Sequence, residues 1–145
     1  MNEPLKSSLL KPTVQTPFHI DFSWWSSMDA NWRVDLYDML CPEHQALFAT
    51  SASQDQQIDW VDPETAEVSS MDALQMTLSA HCARQPGFVN SRTTLVEAVF
   101  RLLLANGNRP MTVEEMSRAL NRPADIILKT LSGPRVYKGV RPMRL

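Results

Sequence analysis

Trp32, Leu36, Met39 and Leu40 fall at helical spacing and share one helix face, with Asp29 placed to cap the helix they predict. Pro42 ends that helix and can begin the next, "PEHQALFA", because the first helical turn tolerates a missing N–H. A second stripe, Met71, Leu74, Leu78, His81 and Cys82, predicts a helix from near Ser70 that "QPGF" stops. The pattern sharpens after residue 91. "LVEAVFRLLLA" is apolar around most of its circumference, which predicts a helix at the centre of a small core. Val113, Met116, Ala119 and Leu120 mark a further helix face, and Ala124, Ile127, Leu128 and Leu131 another. Thr94 with Glu97, and Thr112 with Glu115, have capping-box spacing, while Asn106-Gly107-Asn108 supplies the stop between the first two of these helices.

The remaining pattern is not helical. Residues 1–16 hold two prolines and no clean period, and read as an extended arm. "PFHIDFSWW" alternates as a short strand, which would turn Trp24 and Trp25 to opposite faces and leave one of them exposed. "IDWVDPETAEV" predicts a small hairpin turning at Asp62-Pro63. After "SGP", the segments "RVYKG" and "VRP" predict a strand and a tight turn at Gly139. The fold class expected is therefore α+β, mostly helical. A boundary is expected near residues 86–92.

Three helices, the second and third joined by the short turn "NRP", followed by a basic β element, are carried by "TLVEAVFRLLLANGNRPMTVEEMSRALNRPADIILKTLSGPRVYKG". Over about residues 91–145 this order resembles the winged helix-turn-helix class. It is similar to the winged-helix domain of the delta subunit of bacterial RNA polymerase, where an "LL…G.P(L/M)…E(I/M)" run leads to a "T(L/I)…L" helix and a short closing wing. The resemblance implies a winged helix at 91–145; the residues before it resemble no known family and read from their own pattern as an arm at 1–16 and an acidic, aromatic-rich α+β region at 17–90.

Charge reinforces that division. The 145-residue chain has a net charge of −2, yet residues 1–90 sum to −8 and residues 91–145 to +6. Opposite-sign halves suggest different partners, or attraction between the halves. The basic half is the one suited to phosphates.

On the predicted third helix of that half, Arg122, Asp125, Ile126, Lys129 and Thr130 face outward. That set is thin for reading bases, which takes Arg or Lys to guanine and Asn or Gln to adenine. Arg135, Lys138 and Arg141 in the wing suit phosphates instead, and Tyr137 can stack. The candidate nucleic-acid-binding residues are thus Arg122, Lys129, Thr130, Arg135, Tyr137, Lys138 and Arg141. The function expected is non-catalytic: a nucleic-acid-binding or transcription-associated regulator, with DNA and a protein as partner classes. The alternative is an interaction subunit of a larger complex, RNA polymerase by analogy, in which the winged helix is a protein dock and Ile126 lies at its apolar centre. The acidic half would recruit a partner or cover the basic face when DNA is absent.

Other chemistry is weaker. Cys41-x-x-His44 has metal-ligand spacing, and His81-Cys82 offers two further donors. The residues are read more simply: Cys82 as a small buried apolar group, Cys41 and His44 as parts of a helix start. Neither metal nor cofactor is expected. Asp59, Asp62, Glu64 and Glu67 could form an acid cluster, but Asp62 and Glu64 sit in a predicted turn, where acids are ordinary, and four unclustered glycines make no phosphate loop, so no enzyme is expected. Most of the aromatic residues, which lie largely in the acidic half, are expected in its core. No apolar run approaches the ~20 residues of a membrane span. The first residues lack the apolar stretch of a signal peptide, so a cytoplasmic location is expected.

Overall fold

The computed structural model describes residues 11–49, 57–61 and 63–143, and they form an α+β protein. The chain divides into two compact units: Met1–Trp24 with Val89–Leu145, and Trp25–Phe88. It passes between them at Trp24–Trp25 and again at Phe88–Val89. The first unit is therefore discontinuous, and a segment placed by sequence with the acidic region belongs to the basic one.

That segment is strand β1 (Pro17–Ile20). Phe18 and Ile20 are fully buried while their neighbours are not, so alternation sets its inward face. It is the middle strand of an antiparallel sheet, with β4 (Met111–Thr112) on one side and β5 (Val140–Pro142) on the other. Asp21 then ends the strand. Its Oδ1 accepts the Trp24 N–H at 3.0 Å, which caps helix α1 (Phe22–Met28). Trp24 and Trp25 thus stand on a helix and not on the strand expected for "PFHIDFSWW"; Trp25 is buried and Trp24 half-buried. The arm is also different where it is described. Residues 13–16 form a turn, and the Val14 carbonyl accepts the Glu114 N–H at 3.1 Å while Gln15 Nε2 donates to Glu114 Oε1 at 2.7 Å. Residues 1–10 lie outside the described residues.

The core of this unit is helix α5 (Leu95–Ala105), as its all-round apolarity predicts. Ala98, Val99, Phe100, Leu103 and Leu104 are buried, with Phe22 edge-on to Phe100 at 6.4 Å. Full burial of Val99, Phe100, Leu103 and Leu104 contributes roughly 1.5–3 kcal/mol each. Thr94 caps α5, and the Glu97 carboxylate takes Arg101 Nε at 2.9 Å. Helix α6 (Val113–Leu120) begins with the complete capping box of Thr112 and Glu115. Asn121 leaves α6 in the left-handed region (φ 55°), Pro123 precedes helix α7 (Ala124–Leu131), and the Ser117 hydroxyl donates to the Arg122 carbonyl inside the turn. Val113, Met116, Ile127 and Leu131 point into the core.

"RVYKG" forms no strand. Tyr137–Val140 is a tight turn closed by Val140 N–H to Tyr137 O at 2.9 Å, with φ +50° at Lys138 and +77° at Gly139. Two successive positive φ values are those of a type I′ turn, incompatible with an extended strand through Lys138. Pro134, without an N–H, adds nothing to a ladder. The position beside β5 that a wing hairpin would fill is taken by β1.

The second unit holds α2 (Trp32–Met39), α3 (Pro42–Leu47), an antiparallel hairpin β2 (Gln57–Val61) and β3 (Val68–Asp72), α4 (Ala73–Ala80) and a 3-10 turn, Cys82–Arg84. Asp62 of the expected hairpin turn lies outside the described residues. Leu36, Met39, Leu40, Phe48, Leu74, Leu78 and Phe88 are buried, and Trp25 packs edge-on to Trp32 at 5.9 Å. Asn31, not Asp29, precedes α2; Asp29 Oδ2 instead accepts Trp25 Nε1 at 3.3 Å. Helix α4 starts later than the apolar stripe suggests, because buried Asp72 caps it, accepting Leu74 N–H at 2.8 Å, and pairs with Arg33 at 2.7 Å.

Candidate functional site

Five cations follow one another along the basic unit: Arg122 in the α6–α7 turn, Lys129 on α7, Arg135 in the loop beyond it, Lys138 in the type I′ turn and Arg141 on β5. Their unit carries twelve Lys/Arg against six Asp/Glu, a net of +6. The acidic unit has two against ten, a net of −8. Redrawing the boundary moves residues, yet the charge separation of the sequence persists.

The predicted residues are not equivalent. Lys129 and Arg135 are exposed, and Arg122 is half-exposed with its backbone held in the turn by Ser117. Among the described residues no acid pairs with any of these three. The Arg135 guanidinium lies over the Tyr137 ring at 5.3 Å, so the ring both packs and orients the charge. Thr130 turns its hydroxyl back on its own helix, donating to Ile126 O at 2.8 Å. That proton is unavailable to a base edge. Asp125 is exposed and Ile126 is 46% exposed, so the outer face of α7 has little to read bases with.

Arg141 is the residue whose surroundings sequence reasoning missed. Its Nη1 contacts Asp21 Oδ2 at 3.2 Å, and the guanidinium stacks over Trp24 at 5.0 Å. Both partners come from the segment that follows β1, 120 and 117 residues earlier. Only the pairing of β1 with β5, which sets His19 against Arg141, brings them together. Asp21 offsets part of the charge that Arg141 was expected to offer a phosphate.

A second constellation lies in the acidic unit. Cys41 precedes α3 but its side chain caps nothing there, contrary to the simple reading. Its Sγ stands 2.9 Å from His44 Nδ1 and 3.6 Å from Cys82 Sγ, and Cys82 Sγ is 3.7 Å from His44 Nδ1. The His81 ring centroid lies 5.0 Å from that of His44. Burial pushes the Cys82 thiol up from 9.0 to about 11; the neighbouring Cys41 thiol adds to the rise, and the Cys41 N–H opposes it. The spacing Cys41-x-x-His44 was the signal for this cluster. The distance between the two cysteines in sequence concealed it.

No helix among the described residues is long and apolar enough to cross a membrane. No protein family, curated protein or solved structure matches the chain.

Proposed function

We propose that the basic unit binds the phosphate backbone of nucleic acid, in a non-catalytic, transcription-associated role, with the α6–α7 pair and the type I′ turn acting as a winged-helix-like element. The observation that carries this reading is the run of half-exposed Arg122 and exposed Lys129 and Arg135, which no acid pairs with among the described residues, on consecutive segments of a unit with net charge +6. The element order of helix, strand, helix-turn-helix and closing strand supports the winged-helix resemblance. The outer face of α7 supports affinity for backbone over sequence choice, because Thr130 is turned inward and Asp125 repels phosphate.

The test is binding of the full chain to a labelled duplex across a salt series. Affinity should fall linearly with log salt and change little when the duplex sequence is scrambled. Joint replacement Lys129→Ala, Arg135→Ala and Lys138→Gly should weaken binding at least ~10-fold at low salt and reduce the salt slope by about 2–3. Absence of binding at low salt, or an unchanged slope, overturns the proposal.

A protein dock is the second reading, favoured by exposed Ile126 and Val136 beside the same cations. Capture of a protein partner that survives nuclease, and is lost with Ile126→Glu, would establish it. RNA polymerase is a host by analogy with the delta subunit.

A further inference from the structure

We propose that Cys41, His44 and Cys82, with His81 completing the set, bind one zinc-type divalent ion that pins the start of α3 to the end of α4. Zn–S bonds of about 2.3 Å and Zn–N bonds of about 2.0–2.1 Å make the edges of a tetrahedral site roughly 3.8 Å between sulfurs and 3.5 Å between sulfur and nitrogen. The Cys41–Cys82 and Cys82–His44 separations, 3.6 and 3.7 Å, already match such edges. The Cys41–His44 edge, 2.9 Å, has the length of a thiol–imidazole hydrogen bond and has to open by roughly 0.6 Å as the ion replaces the proton. The His81 ring centroid stands 5.0 Å from that of His44, and because its nitrogens lie outside the group of donor atoms within 4.8 Å of one another, His81 has to turn toward the ion to become the fourth ligand.

The surroundings are those of a metal site in three ways. The Cys41 N–H donates to Cys82 Sγ at 3.2 Å, a bond that strengthens once the sulfur is a thiolate. Tyr37 donates its hydroxyl to Gln45 O at 2.9 Å and Gln45 Nε2 donates to Tyr37 O at 3.2 Å, which locks the α2–α3 corner where Cys41 and His44 sit. Cys41 and His44 are half-buried and Cys82 is buried, while His81 is exposed, so an ion would be enclosed on the cysteine side and reached from solvent at His81. Two thiolates and two neutral imidazoles favour zinc over calcium or magnesium, which take oxygen ligands. Binding releases two thiol protons to solvent, leaving a site of zero net charge, which suits the partial burial of its sulfurs. The role is structural. Residues 25–88 make a small unit whose core alone contributes little stability, and a bridge between Cys41 and Cys82 closes a long loop.

The proposal is tested on the reduced, full-length chain, stripped with chelator and titrated with Co2+. One equivalent should produce the intense visible bands of tetrahedral cobalt with thiolate charge transfer, and Zn2+ should bleach them. Cys41→Ser and Cys82→Ser should each abolish the charge-transfer band or cut it sharply, and His81→Ala should weaken binding about tenfold or more. Because the cysteine variants also disturb the core, alkylation of the unaltered chain is the companion measurement: Zn2+ should protect both thiols from iodoacetamide. Pale octahedral cobalt, no uptake, or equal alkylation with and without Zn2+ overturns the site. Binding undiminished in His81→Ala overturns its assignment as fourth ligand.

Discussion

The side chain of Asn108 grips the backbone of Ile20 from both sides: its Oδ1 accepts the Ile20 N–H at 2.8 Å and its Nδ2 donates to the Ile20 carbonyl at 2.9 Å. This pair joins the loop after α5 to β1 across 88 residues of sequence. Replacing Asn108 by Ala removes two bonds worth about 0.5–1.5 kcal/mol each and places alanine at φ +57°. Urea unfolding should show a loss of about 2–4 kcal/mol, the two bonds plus about 1 kcal/mol for the left-handed alanine. Asn108→Gly relieves the φ but not the lost bonds, so it should recover only part of that loss.

Asp21 restrains Arg141, so removing its charge should release the arginine. Asn at this position keeps an Oδ1 to cap α1 through the Trp24 N–H, and only the ion pair is lost. Asp21→Asn should therefore bind duplex DNA about two- to fivefold more tightly at low salt, with the gain shrinking as salt rises. A variant that binds like the unaltered chain would show that Arg141 does not meet phosphate.

Lys138 combines a charge with a strained backbone. At φ +50° a β-branched residue is strongly disfavoured, whereas glycine is at ease. Lys138→Gly relieves the left-handed backbone and should lower affinity for DNA. Lys138→Val should lower affinity and also stability, the latter by about 1–2 kcal/mol. Comparing melting curves and binding isotherms of the two separates the turn from the charge.

Thr112 ends β4 and starts α6 through a reciprocal pair of bonds with Glu115, at 2.8 and 3.1 Å. Thr112→Ala should cost about 1 kcal/mol in thermal or urea unfolding, and Thr112→Ser should cost much less.

In metal-free protein the Cys82 thiol titrates near 11 against 9.0 for an ordinary thiol, chiefly because burial disfavours the thiolate. A folded-state value above the unfolded one means that the protonated group favours the fold. Its contribution is complete below pH 9.0 and is lost as pH climbs toward about 11. The stability difference between the chelated wild-type chain and Cys82→Ala should narrow over that range, measured by denaturant unfolding at stepped pH.

Much of the basic unit is legible in sequence because its signals are local. The Thr112–Glu115 box, the Asn106–Asn108 stop and the apolar stripes of α5, α6 and α7 each lie within a few residues, and helices are built from such contacts. The Lys138–Gly139 turn is local too. The charge division is simple composition. Reading "PFHIDFSWW" as one strand failed at Asp21, since apolar residues on both sides of a short acid suit either a strand or a helix cap.

What only the tertiary structure decided is long-range. Nothing near Pro17–Ile20 says that it pairs with strands about 95 and 120 residues later, so neither the discontinuous unit nor the Asp21–Arg141–Trp24 contact could be read from the chain. The same holds for Cys41 and Cys82. Their spacing to the histidines marks each pair as a candidate donor set, but whether two sulfurs 41 residues apart meet depends on how α2, α3 and α4 pack. Residue types and local periods specify what a segment can be; which segments become neighbours is settled by burying their apolar faces together.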